Sequence, residues 1–239
     1  MSITTIFKYS FMILRLHKHI AAPTVIASLI MTILTVIFVI NPNAATMGSH
    51  VQTVKDFEQI MGSLMSLGVL DFLFNVFTQA IVISMVNDVI DNQTCSIRRS
   101  VFSVLSRMNA LFSSAFFLGV LLFTGVLLFF IPAVIAAFFL MFTIVILISD
   151  DRTNAITAMK LSYIIVRRNI NYALMVFLSL IFTGLVVTLF NIILTSKIAE
   201  LGQVIASITV GIYMAFSGTV LILSYRGIIK HEFSPKSNG

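Results

Sequence analysis

Apolar residues lie along this chain in long unbroken runs, and most of the charged residues collect between the runs. A hydrocarbon layer about 30 Å thick is crossed by about 20 apolar residues in a helix, because lipid offers unpaired backbone groups no partner. The first such run covers Ala21 to Ile40 and ends at the turn residues Asn41-Pro42-Asn43. The second lies within Leu64 to Val86 and is interrupted by Asp71, Asn75 and Gln79. Forty residues from Ala110 to Ser149 carry no charge, twice the length of one span, and Pro132 sits where the chain must turn back. The fifth and sixth runs cover about Tyr172 to Leu194 and Val204 to Leu223. The pattern predicts an all-α, polytopic membrane helix bundle with six transmembrane helices.

Between the spans the pattern changes to amphipathic helices, one before each pair of spans. Ser96, Ser100, Ser103 and Arg107 fall on one stripe, with Ile97, Val101, Val104, Leu105 and Met108 on the other side. Thr153, Thr157, Lys160, Arg167 and Asn171 form a comparable stripe later, away from Ala158, Leu161 and Ile165. These segments are expected to be three cytoplasmic interfacial helices.

The units repeat. Lys8-Tyr9-Ser10-Phe11-Met12-Ile13-Leu14-Arg15 aligns without gaps to Lys160-Leu161-Ser162-Tyr163-Ile164-Ile165-Val166-Arg167, at an offset of 152. Phe123-Thr124-Gly125 echoes Phe182-Thr183-Gly184 at 59, and Arg107-x-Asn109 echoes Arg167-x-Asn169 at 60. The organisation expected is a single membrane domain over residues 1–239, with pseudo-threefold units of about 1–90, 91–149 and 150–226 and a polar tail at 227–239.

Composition and charge then narrow the class. With 59% apolar and 10% charged residues and a mean hydropathy of +1.06, the chain cannot cover a water-facing surface, which excludes a soluble enzyme. The net charge of +6 reports topology and not nucleic acid. With six spans, thirteen of the fifteen Lys and Arg residues fall on the side that holds both termini, and only Lys55 and Lys197 fall opposite. Retention of positive charge in the cytoplasm therefore places both termini there. A signal peptide ending near Ala44-Ala45 is the competing reading, but an apolar run of about 20 residues exceeds the 7 to 15 of a signal peptide.

Candidate chemistry is sparse. Asp71, Asn75 and Gln79 share one face of the second span with Thr78, and an intramembrane carboxylate by default suggests a substrate or proton path. Asp71 lies only about two turns from the outer end of its span, and no Lys, Arg or His lies deep enough in another span to pair with it, so a solvated or interfacial position is the preferred reading. Ser207, Gly211 and Ala215, followed by Gly218, form a small-residue seam for helix packing, within the chain or against a second copy. His17, His19, His50 and His231 form no metal-ligand spacing, and no nucleophile elbow or phosphate-binding loop is present. Asp150-Asp151-Arg152 reads as a charge complement to the helix that follows. Cys95, the single cysteine, reads as an inert thiol. No catalytic residue, metal or cofactor is expected.

The opening Met1-Ser2-Ile3-Thr4, the hairpin Ile131-Pro132-Ala133-Val134, Asp150 eighteen positions after that proline, and Met159-Lys160-x-Ser162 followed by Asn169 resemble the YciC-type inner-membrane proteins of Gram-negative bacteria. The plan is also similar to the membrane domain attached to some bacterial glycerophosphodiester phosphodiesterases. The resemblance implies a multi-pass inner-membrane protein connected to envelope or phospholipid homeostasis, and it supplies no catalytic residues. Those families usually have Pro-Gly at the hairpin where this chain has Pro132-Ala133, and a proline in the fourth span where this chain has Ile144.

The function expected is therefore non-enzymatic. The candidate lipid-binding residues are Lys8, Arg15, Arg99, Arg107, Lys160 and Arg167, which would attract anionic phospholipid at about 1 kcal/mol per basic residue. A membrane-protein partner or a second copy could share that face. The alternative is a small-solute transporter or channel working through Asp71, Asn75 and Gln79.

Overall fold

The computed structural model describes residues 2–39, 54–92, 95–128, 130–150 and 153–233. The expected turn at Asn41-Pro42-Asn43, the Ala44-Ala45 pair, Asp151, Arg152 and the last six residues lie outside them. Among the described residues the chain is all helical. The elements are α1 (Ile3–Leu16), a 3-10 turn (Lys18–Ala21), α2 (Ala22–Val39), α3 (Val54–Asn92), α4 (Ile97–Ser106) and α5 (Met108–Leu127). They continue with α6 (Ile131–Leu140), α7 (Thr143–Ser149), α8 (Ala155–Arg168), α9 (Ile170–Lys197) and α10 (Ala199–Phe233).

Six segments are long and apolar enough to cross a membrane: Lys18–Ile37, Leu67–Asp91, Met108–Leu127, Ile131–Ser149, Ile170–Lys197 and Leu201–Ile229. The second extends beyond the expected end at Val86, because Asn87 and Asp88 are tolerated in a helix and α3 continues to Asn92. The second and sixth spans are the most buried, while only 11% of the fifth is covered by the rest of the chain. The core therefore forms around α3, α7 and α10, where Ile83, Val86, Phe142, Ile146 and Ile222 are in one buried cluster. Phe182, Leu185, Leu189 and Phe190 of α9 face outward, as lipid-contacting residues would.

The hairpin between the third and fourth spans brings two backbones together. A Cβ on Gly125 would lie 2.6 Å from the nitrogen of Ala133, so position 125 admits only glycine without movement. Pro132 occupies the first turn of α6, where its missing N–H leaves no helical bond unmade.

The fourth span is interrupted although it lacks the expected proline. Its two pieces, α6 and α7, meet at Met141 and Phe142. Ser162 of α8 inserts its hydroxyl there, accepting from the Phe142 N–H at 3.2 Å and donating to the Phe139 carbonyl at 2.9 Å. A side chain inserted into the helical ladder substitutes for proline as the cause of the break. At the far end of α7, Arg107 donates to the carbonyls of Leu147 and Ile148 at 2.7 and 3.0 Å. Each end of this seven-residue helix is therefore held by a side chain from another element.

Candidate functional site

The three short helices begin alike and pack alike. Ser2 accepts from the Thr5 N–H and Asn154 from the Thr157 N–H, so α1 and α8, both of 14 residues, are capped at matched positions 152 apart. Ser96 caps α4 in the same way. The N-caps of α4 and α8 lie 58 apart because α8 is four residues longer, and their C-caps, Arg107 and Asn169, set a register of 62 at the C-terminal end, where the sequence echo gave 60. That register aligns Ser100 with Ser162 and Val104 with Val166, all four buried, and the offset of 152 aligns Ser10 with Ser162. The glycines of the Phe-Thr-Gly echo also match in use. Gly125 meets Ala133 and Gly184 meets the Tyr213 hydroxyl, each on the span that follows.

These helices are oriented unlike helices on a water-facing surface. The serines point into the bundle, where Ser100 donates to Asp88 at 3.4 Å, while Ile97, Phe102 and Leu105 of α4 and Ile156, Leu161 and Ile164 of α8 point out. Of the serine stripe of α4, Ser100 is turned inward together with Val104, while Ser96 is exposed and Ser103 half-buried. Large apolar side chains directed outward next to exposed cations match the boundary between acyl chains and headgroups. Cys95 lies at the start of this region, and burial together with the Asp88 charge pushes its thiol up.

Five of the six candidate cations, Lys8, Arg15, Arg99, Lys160 and Arg167, are exposed. The sixth differs. The Arg107 guanidinium is engaged with the end of α7, where burial pulls its pKa down and the Asp150 charge opposes that shift. Arg226 forms a forked pair with Asp91 at 2.7 Å and also reaches Asn87, joining α10 to α3.

Among the exposed cations, Lys160 has a distinct setting. It lines an apolar groove of about 470 Å³ with Leu121 of α5, Ala136 and Leu140 of α6, and Tyr163 and Ile164 of α8. Sequence reading found the cation and not the groove, because three elements distant along the chain supply its walls.

A second concavity, of about 650 Å³, opens between α2, α3 and α10. Asp71 and Asn75 line it with Thr32, Thr35, Ser207 and Met214. Asn75 donates to Asp71 at 3.1 Å. Asp71 is four residues inside its span, about 6 Å along the helix. Gln79 is separated from this pair. Its amide donates to the Met214 carbonyl at 3.2 Å and to Ser217 at 3.1 Å, closing the contact between α3 and α10. The expected polar stripe thus divides into two residues on a cleft and one in a packing contact. The small-residue seam is internal: a Cβ on Gly211 would lie 2.5 Å from the Val25 Cα of α2.

Among the described residues no group of three or more His, Cys, Asp or Glu side chains is placed to hold a metal ion. In comparison with known proteins, the chain matches no family model, no curated protein and no solved structure.

Proposed function

We propose that this chain is a non-enzymatic protein of a bacterial inner membrane, of the YciC type, with both termini in the cytoplasm. Its short helices engage anionic phospholipid in support of envelope and phospholipid homeostasis. The observation that carries this reading is the groove with an apolar lining and Lys160 among its walls. An acyl chain fits between Leu121, Ala136 and Leu140, and the Lys160 stem runs along apolar surface toward a headgroup phosphate. Arg167 lies on the same helix, two turns along, and is also exposed. The asymmetry of Lys and Arg between the two sides supports the cytoplasmic placement.

At about 1 kcal/mol per basic residue, the Lys160→Ala and Arg167→Ala double change should weaken retention of phosphatidylglycerol by about tenfold or more. Lipid co-purified from membranes and quantified by mass spectrometry measures this. Unchanged anionic lipid in a folded double variant would overturn the proposal.

A further inference from the structure

The polar lining of the cleft between α2, α3 and α10 is mostly hydroxyls, with one carboxylate and two amides. Thr35 and Thr195 donate their hydroxyl hydrogens to the Met31 and Asn191 carbonyls of their own helices. Thr32 and Ser207 share a hydrogen bond at 2.5 Å, and the hydroxyl that accepts it donates to a carbonyl of its own helix, that of Ser28 or Gln203. One amide hydrogen of Asn75 is directed to Asp71. These hydroxyls therefore present lone pairs to the cleft, beside the Asn75 and Gln203 amides, and Asp71 adds a carboxylate. Among the described residues, no Lys, Arg or His lines the cleft. The Gln79 bridge to Met214 and Ser217 lies beyond Asn75 along α3, so the cleft is blind at that end.

We propose that this cleft binds a primary ammonium group, with Asp71 as counter-ion and the Thr35 and Ser207 oxygens as further acceptors. An ammonium supplies three donors and no acceptor, the complement of a carboxylate surrounded by lone pairs. The apolar remainder of the ligand lies against Met31, Val36 and Val210. Two sources offer this chemistry: a free alkylamine, and the headgroup of phosphatidylethanolamine entering from the bilayer. The site is independent of the Lys160 groove.

The test uses the full-length protein in nanodiscs. Radiolabelled n-butylammonium is measured by equilibrium dialysis, against n-butanol and butyrate as uncharged and anionic counterparts, in phosphatidylcholine discs and again in discs containing phosphatidylethanolamine. Butylammonium should bind where butanol and butyrate do not. Asp71→Asn should weaken binding by about tenfold or more through loss of a charged partner, while Asp71→Glu retains most of it. Binding that is unchanged by phosphatidylethanolamine assigns the pocket to a free amine, and competition by that lipid assigns it to the headgroup; both support the ammonium site. Equal binding to folded Asp71→Asn, equal uptake of butanol or butyrate, or no binding of either amine source overturns it. Lys160→Ala, which leaves this cleft intact, should leave butylammonium binding unchanged.

Discussion

Ser10 and Ser162 occupy matched positions on α1 and α8, are both fully buried, and should respond oppositely to alanine. The Ser162 hydroxyl mediates between the Phe142 N–H and the Phe139 carbonyl, whereas the Ser10 hydroxyl has no hydrogen-bond partner among the described residues. Hydrogen bonds between helices in membranes average only about 0.6 kcal/mol, because the separated helices find other partners. The break in the fourth span is a harsher case. Phe142 is fully buried, and removing Ser162 Oγ leaves its N–H without an acceptor at a cost of about 1 to 3 kcal/mol. Ser10→Ala removes an unpaired hydroxyl and should be neutral or stabilising by up to about 1 kcal/mol. Equilibrium unfolding by SDS in mixed micelles, followed by circular dichroism, reads both variants. A Ser162→Ala loss below about 0.5 kcal/mol would mean that the helix restores its own ladder, and the account of the break would be wrong. Equal losses in the two variants would refute the contrast between the units.

Three further outcomes follow from the packing. Arg107→Met should destabilise the protein by about 1.5 to 3 kcal/mol in the same SDS titration, since it strips a charged donor from the Leu147 and Ile148 carbonyls. It should leave anionic lipid retention unchanged, which separates it from Lys160→Ala. Gly211→Ala should cost about 1 to 3 kcal/mol because the added methyl meets the Val25 backbone and not a movable side chain. Cys95 should react slowly with maleimide at neutral pH, because a thiol raised by burial and by Asp88 holds less thiolate; its rate should climb with pH, and Asp88→Asn should accelerate it.

The spans were legible because insertion is encoded in bulk: any helix of sufficient apolar length satisfies its own backbone, whatever its neighbours. The Pro132 turn was legible for a similarly local reason. The break at Met141 and Phe142 was not, because neither residue disfavours a helix and its cause, Ser162, lies twenty positions away on another element. Arg107 looked like the other basic residues of the interface, and only the fold shows it turned onto α7. The division of the Asp71, Asn75 and Gln79 stripe was equally hidden. Helical spacing puts the three on one face, but the third meets α10 where the first two meet open space.

Lys160 and Ser162 are two residues apart on one helix, one on the apolar groove and the other joined to the break in the fourth span. Neither can be displaced without the other. A sideways displacement of α8 must either carry the junction of α6 and α7 along or rupture the two bonds that Ser162 makes there.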